Sequence, residues 1–158
     1  MAILNSKQVA SKTPYISVTK TGDVAAPRQV YALSAALALN DIIVMGSLPQ
    51  GCLPVDLILD SDDLDTGGSP AITLSVGILN AGQTDIDTTA SGGAAWIAAS
   101  TVAQAGGLVR PTTAAITRTP VSTSEQFWGI KVAAAPATGA ATGTIGATLM
   151  YRAAVKGL

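Results

Sequence analysis

The residues that could carry chemistry are few. The sequence contains no histidine, a single cysteine and a single glutamate, which excludes Ser-His-Asp and Cys-His catalysis and any histidine-containing metal site. The tripeptide Asp65-Thr66-Gly67 matches that of aspartic proteases, in which paired carboxylates share one proton. Such an aspartate needs an apolar strand before it, whereas an acidic run precedes Asp65. We therefore favour a hairpin turn over a protease site.

That acidic run also has the residue types of a calcium loop. Asp60, Asp62, Asp63 and Asp65 offer the carboxylate oxygens that Ca²⁺ prefers, and their spacing begins like an EF-hand. The glycine required at the sixth position is Asp65, however, and the glutamate required at the twelfth is Ala71. An exposed acidic turn between two strands is the favoured interpretation, and a surface calcium ion or interface salt bridges are the alternatives.

The third motif, Ser17-Val18-Thr19-Lys20, fits the pattern in which a lysine activates a serine. That chemistry needs both residues on one helical face, whereas residues 15–18 are predicted to form a short strand. No phosphate-binding or dinucleotide-binding glycine motif is present. The sequence therefore predicts no enzyme, no catalytic residue, no cofactor and no metal ion.

The charges lie in three blocks. The 158 residues have a net charge of −1, but residues 1–28 carry four basic residues and one acidic residue, residues 29–109 carry eight aspartates and no basic residue, and residues 110–158 carry five basic residues and one acidic residue. Only 12% of residues are charged and 48% are hydrophobic. This composition indicates a globular chain whose surface is partly covered in its working state.

The sequence disfavours export, membrane insertion and nucleic-acid binding. No secretory signal pattern is visible, and the long uncharged runs at residues 88–109 and 132–151 contain too many small and polar residues for a membrane span. The basic residues of the first block lack interleaved aromatic residues, so they are a weak signature of nucleic-acid binding. We expect neither a membrane nor a nucleic-acid partner.

The elements that must position these residues are mostly strands. Alternating apolar residues predict strands near residues 55–60, 72–78, 127–132 and 144–155, and continuous apolar runs predict strands at 30–39 and 41–46. In the first of these strands, Val55, Leu57 and Leu59 are expected on the core side. Residues 112–119 are rich in β-branched residues, which favours a further strand there. One short helix is predicted from Ser100 to Gly106. The predicted fold is all-β, an antiparallel β-sandwich or jelly roll with at most one short helix, with residues 1–28 as an extended arm and residues 29–158 as one domain.

Five segments form a recognisable pattern of strands and turns. They are DIIVMGSLPQG at 41–51, VDLILDSDDLD at 55–65, ITLSVG at 72–77, VAQAGG at 102–107 and the closing strand at 143–152. Together they resemble small structural proteins of tailed-bacteriophage heads. The family is that of decoration, or cement, proteins. The resemblance implies a β-sandwich that binds the outside of the virion shell as a homodimer or homotrimer, contacts the major capsid protein and is made in the bacterial host cytoplasm.

The charge blocks suggest which residues make the contacts. We expect the basic residues Lys7, Lys12, Lys20 and Arg28 to reach a neighbouring subunit, with Asp60, Asp62, Asp63 and Asp65 forming the opposing acidic patch. Two alternatives stay open. One is another virion assembly component, such as a minor head or tail protein, and the other is a β-sandwich module that binds Ca²⁺ or a carbohydrate. With only two tryptophans in the chain, the carbohydrate alternative is the weaker one.

Overall fold

The computed structural model describes residues 1–12 and 23–154. These residues form ten strands, two short α-helices and one 3₁₀ turn. The strands are β1 (Ile3–Asn5), β2 (Val24–Ala25), β3 (Arg28–Ala32), β4 (Ile42–Leu48), β5 (Cys52–Ser61), β6 (Thr73–Ile78), β7 (Ile97–Ser100), β8 (Gly107–Val109), β9 (Gln126–Ala134) and β10 (Thr144–Ala153). The helices are α1 (Lys7–Ser11) and α2 (Ala115–Arg118), and the 3₁₀ turn spans Val102–Gln104.

The strands form two five-stranded sheets packed as a sandwich. Sheet A has the order β1-β4-β9-β6-β7. In sheet B, β10 pairs with β5 on one side and with both β2 and β3 on the other, and β8 pairs with the far side of β5. The pairs are antiparallel except β1 with β4, which is parallel. The predicted all-β sandwich is confirmed, with this one parallel pair as an exception.

The core lies between the inner faces of the two sheets. The alternation predicted from the sequence is confirmed in β6, β9 and β10, where every second side chain is buried. The inward residues of these strands are Leu74, Val76, Ile78, Trp128, Ile130, Val132, Ile145, Ala147, Leu149 and Tyr151, each at most 2% exposed. Burial of apolar surface is the main driving force for folding. These inward residues therefore fix the two sheets against each other, and the sheets position the loops and surface side chains.

One position of the predicted alternation is wrong. Val55 was expected in the core beside Leu57 and Leu59, yet it is 42% exposed while the other two are fully buried. The pairing of β5 with β10 shifts register between Met150 and Tyr151, so Val55 is an extra residue opposite that step. A bulge of this kind reverses the alternation locally, and Pro54 directly before Val55 is the local sequence signal for it, since proline inside a strand is found at edges and bulges.

The helix prediction was only partly right, because the one helical turn in the predicted segment is a 3₁₀ turn and two short α-helices form elsewhere. The segment from Ser100 to Gly106 ends β7 and continues as a 3₁₀ turn, without a side-chain cap on its first residue. Helix α2 replaces the strand expected at residues 112–119, and α1 forms inside the predicted arm, where Ser6 caps it by accepting a hydrogen bond from the Val9 N–H at 3.3 Å. The structure thus has two short helices where at most one was predicted.

The described residues of the predicted arm add to the sandwich. Strand β1 extends sheet A, and β2 extends sheet B. Helix α1 lies against β3 and β4. The strand predicted at residues 15–18 lies outside the described residues, and the domain boundary at residue 28 stays a prediction. No helix in the described ranges is long and apolar enough to cross a membrane.

Candidate functional site

The two described lysines of the predicted basic patch lie on α1. Lys7 is its first residue, and Lys12 follows its last residue in a left-handed conformation with φ of 52°. Both are exposed, and neither forms an ion pair with another described residue. Lys20 lies outside the described residues. Lys7 and Lys12 are therefore available for contacts with another molecule.

The remaining basic residue, Arg28, is paired within the chain. Its Nη2 donates to Asp60 Oδ2 at 2.5 Å and its Nε to Asp60 Oδ1 at 3.2 Å. The two side chains meet over Gly146 of β10, where any Cβ would collide with both of them. The hydrogen bond from Arg28 to Asp60 raises the pKa of the guanidinium. The predicted basic and acidic patches thus meet here inside one chain.

The next two aspartates, Asp62 and Asp63, lie at the end of sheet B where β5 finishes. Asp62 Oδ2 accepts a hydrogen bond from the Thr144 N–H at 2.8 Å, and Asp63 Oδ1 accepts one from the Asp65 N–H at 3.1 Å. Both residues remain exposed. They combine a local structural role with a surface position.

Asp65 is different, because it is only 1% exposed. Its carboxylate accepts four backbone N–H groups, from Ala71 at 2.6 Å, Ile72 at 3.1 Å, Ala137 at 2.9 Å and Thr138 at 2.7 Å. Burial raises the pKa of Asp65, but the four donors, Thr138 foremost, outweigh burial and bring the pKa down to about 2. The carboxylate is ionised and fully occupied, so it holds loops together and is not placed to transfer protons.

Asp65 connects two of the segments that cross between the sheets. Residues 62–72 lead from β5 of sheet B to β6 of sheet A, and residues 135–143 return from β9 of sheet A to β10 of sheet B. The Asp65 carboxylate accepts hydrogen bonds from backbone N–H groups of both segments and so joins them. Sequence reasoning placed Asp65 in an acidic surface patch and missed this role, although an aspartate beside Thr-Gly in a turn is a residue that often accepts backbone hydrogen bonds. Among the described residues no group of three or more acidic, cysteine or histidine side chains could hold a metal ion.

Sequence reasoning also missed the outer face of sheet B, which we call the open face. Its apolar members are Val24, Val30, Ile58, Leu108 and Met150, in five adjacent strands. None of them joins a hydrophobic cluster of the fold, and Val24 and Leu108 are 52% and 70% exposed. The sequence did contain a signal for this face. In the alternating pattern of the neighbouring strands β5 and β10, Ile58 and Met150 occupy positions that point away from the core.

The charges of the open face are largely paired with each other. Besides the Arg28–Asp60 pair, Arg110 Nη1 lies 2.8 Å from Asp56 Oδ2. Arg152 of β10 forms no ion pair with a described residue; its Nη1 donates to the Ala153 carbonyl at 3.5 Å. The open face therefore combines apolar residues with two ion pairs and Arg152, and its net charge is small.

Comparison with known proteins identifies two similar solved structures. A chain of the capsid of Ralstonia phage GP4 superposes with a TM-score of 0.85 and 41% sequence identity, covering 98% of this chain and 100% of that one. A chain of the cyanophage Pam1 capsid asymmetric unit gives a TM-score of 0.66 and 28% identity, covering 90% of this chain and 96% of that one. No protein-family model and no curated protein matches the sequence.

Proposed function

Since this chain belongs to a family of phage capsid structural proteins, we propose that it is a decoration protein: it binds the outer surface of a phage head, bridges neighbouring subunits of the major capsid protein and stabilises the shell. The observation that carries this proposal is the 41% identity to a chain of a phage capsid over nearly the whole length of both chains. The proposed location is the exterior of the virion.

The surface supports a role in assembly. Asp65, the aspartate of the protease-like tripeptide, has a structural role because its carboxylate is occupied by backbone donors. Asp60 is paired with Arg28. In contrast, the exposed lysines of α1 and the exposed Asp62 and Asp63 leave charges of opposite sign on different parts of the molecule. Weak contacts of this kind become effective when many copies bind one shell.

The proposal assigns two partners. The first is the major capsid protein, contacted through Lys7, Lys12, Lys20 and the acidic end formed by Asp62 and Asp63. The second is another copy of this chain, as a homodimer or homotrimer. We propose neither a nucleic-acid nor a membrane partner, and no catalytic activity.

The test uses phage heads that lack this protein. Added purified protein should co-sediment with the heads up to a saturating ratio, and it should raise the temperature at which the heads release their DNA. Electron microscopy of the decorated heads should show the added density on the outside. Density confined to a tail or to one vertex would contradict decoration and would favour a minor head or tail protein.

The same assay tests the basic residues. Because β1 and α1 are part of the sandwich, their charges are best removed by substitution and not by truncation. A variant with Lys7→Gln, Lys12→Gln and Lys20→Gln should bind heads several-fold more weakly at low salt, and the difference should shrink as salt is added. The Lys131→Gln variant is the matched control, since Lys131 is paired with Asp85. Equal binding by both variants would exclude the α1 side as a contact.

A further inference from the structure

Strand β8 is an edge strand of sheet B, and its outer edge is unpaired within the described part of the chain. We propose that β8 pairs antiparallel with β8 of a second copy, across a two-fold axis at Leu108. The homodimer then contains one continuous sheet built from the two copies of sheet B. The inference rests on the self-association included in the proposed function, and it adds the strand, the register and the symmetry of the contact.

The backbone of β5 shows which of its residues bond to β8. In an antiparallel sheet, consecutive residues of a central strand bond alternately to the strands on its two sides. The Asp62 N–H, just after β5, donates to the Thr144 carbonyl of β10 at 3.0 Å. By alternation Asp60 also bonds to β10, while Ser61 and Leu59 bond to β8.

The same alternation sets the direction of the backbone groups of β8. Gly107 and Val109 lie opposite Ser61 and Leu59, so they bond to β5. Leu108 between them directs both its N–H and its C=O to the outer edge, where no described residue bonds to either. An antiparallel pair of this type exchanges one N–H···O=C bond in each direction. A single outward residue therefore matches the same residue of a second copy across a two-fold axis.

The surface along this edge is exposed and uncharged. Leu108 is 70% exposed, the largest fraction among the exposed large apolar residues of the described chain. A groove of about 350 Å³ lies beside β8, lined by residues 100–102 and 106–109, and residues 88–109 contain no charged side chain. In the proposed register Leu108 lies directly opposite Leu108 of the second copy, with about 5.5 Å between their Cα atoms. The pairing removes both side chains from water without burying a charge.

The charges that flank this edge favour a copy of this chain as the occupant. In the proposed register Arg110 of one copy lies opposite Gly106 of the other. A Cβ at Gly106 would lie 3.1 Å from the backbone N of Asp63 and 3.3 Å from the carbonyl carbon of Asp62, and both aspartates are exposed. The Arg110 side chain remains 61% exposed although it is paired with Asp56. Opposite charges are therefore neighbours across the contact, and the two-fold axis repeats them twice.

Sedimentation velocity of charge variants at residue 108 tests this register. The wild-type protein should sediment as a dimer of its 15.7 kDa chain. Leu108→Glu and Leu108→Lys should fold, because the side chain is exposed, and each should raise the dissociation constant about tenfold, because like charges then lie directly opposite each other. An equimolar mixture of the two variants should dimerise more tightly than either variant alone, because opposite charges then meet.

Leu39 provides the matched control. It is a leucine outside β8 that is 50% exposed, so Leu39→Glu and Leu39→Lys introduce the same charges away from the proposed contact. Neither should change the dissociation constant, and mixing them should have no effect.

Recovery of dimers in the mixture of Leu108 variants supports the inference, because residue 108 then faces its own counterpart. If both variants dimerise like the wild type, or if their mixture is as weak as each alone, the β8 register is overturned while self-association stands. A trimeric wild-type protein overturns the two-fold contact, and a protein that is monomeric at every concentration overturns the proposed self-association as well. The head-binding assay tests decoration separately, so failure of the dimer contact is distinguishable from failure of the proposed function.

Discussion

The outer faces of the two sheets differ, although their inner faces share one core. In sheet A, Ile42 and Val44 point away from that core and are nevertheless fully buried. They form a second small cluster with residues from α1, the loop after β6 and β9, namely Val9, Leu79, Ile86 and Phe127. In sheet B, the outward residues Val30, Ile58 and Met150 belong to no hydrophobic cluster of the described residues. Within the described part of the chain, the outer side of sheet A is therefore covered and the outer side of sheet B is not.

The cover of sheet A is also fixed by polar contacts. Lys131, which lies beside Ile42 on β9, donates to Asp85 Oδ1 in the covering loop at 2.8 Å, and the hydrogen bond from Lys131 lowers the pKa of Asp85. Ser6 Oγ at the start of α1 donates to the Met45 carbonyl at 2.5 Å. In sheet B the corresponding polar contacts join strand to strand across the face. These contacts pair charges on the surface of sheet B without covering it.

The largest expected effect comes from truncating one isoleucine on each outer face. Ile42→Ala should destabilise the fold by about 2–4 kcal/mol, because it leaves a cavity in the cluster beneath α1. Ile58→Ala should cost about 1 kcal/mol or less, because its side chain is only partly buried within one chain. Urea unfolding, at a concentration low enough for the wild-type chain to be monomeric, measures both.

Leu149→Ala calibrates this pair of measurements, since Leu149 lies in the shared core and is fully buried. Its cost should match or exceed that of Ile42→Ala. Equal costs for Ile42→Ala and Ile58→Ala would mean that the open face is already covered in the monomer, and the contrast between the sheets would be lost.

A smaller effect on stability is expected at Asp65, whose carboxylate joins two of the loops that connect the sheets. Asp65→Asn keeps the shape of the side chain but replaces one acceptor oxygen with a donor facing backbone N–H groups. We expect the melting temperature to fall by several degrees. Asp63→Asn is the matched control, because Asp63 is exposed and accepts a single hydrogen bond, and it should leave the melting temperature nearly unchanged.

The difference in melting temperature between the wild type and Asp65→Asn should depend on pH, because it depends on the ionisation of Asp65. The pKa of Asp65 in the folded protein, about 2, lies below its ordinary value of 3.8. The carboxylate therefore stabilises the fold fully above about pH 4, and this contribution is lost as the pH falls through about 2. The melting temperatures of wild type and Asp65→Asn, recorded from about pH 6 downward, should converge toward about pH 2. A difference that stays constant with pH would show that the charge of Asp65 is not what stabilises the loops.

Much of the sandwich could be predicted from the sequence, because strands that are half buried alternate in hydrophobicity. Residues 72–78 and 127–132 show this clearly, and the continuous apolar run of β4 reflects a strand buried on both faces. The helices could not be predicted in this way. Helix α1 is held by its Ser6 cap and by Val9 on the sheet A cluster, and α2 has four residues, too few for a periodic pattern.

The site was harder to predict than the fold, because a carboxylate's role depends on what lies near it in space. Asp60, Asp62, Asp63 and Asp65 look equivalent in the sequence, yet one forms an ion pair, two accept single backbone bonds and one is buried among four donors. The donors of Ala137 and Thr138 lie more than seventy residues from Asp65 in the chain. Likewise, the open face emerges only when five separate strands are placed side by side.

The smallest expected effect on stability concerns the Arg28–Asp60 pair. The side chains are 50% and 33% exposed, so solvent screens their attraction, and Arg28→Gln should cost about 0.2–1 kcal/mol at low salt and less at high salt. Lys131→Gln should cost somewhat more, because Lys131 is 22% exposed and holds the covering loop. Thermal unfolding of the two variants at low and high salt measures both costs. A larger loss of stability for Arg28→Gln than for Lys131→Gln would contradict this ranking.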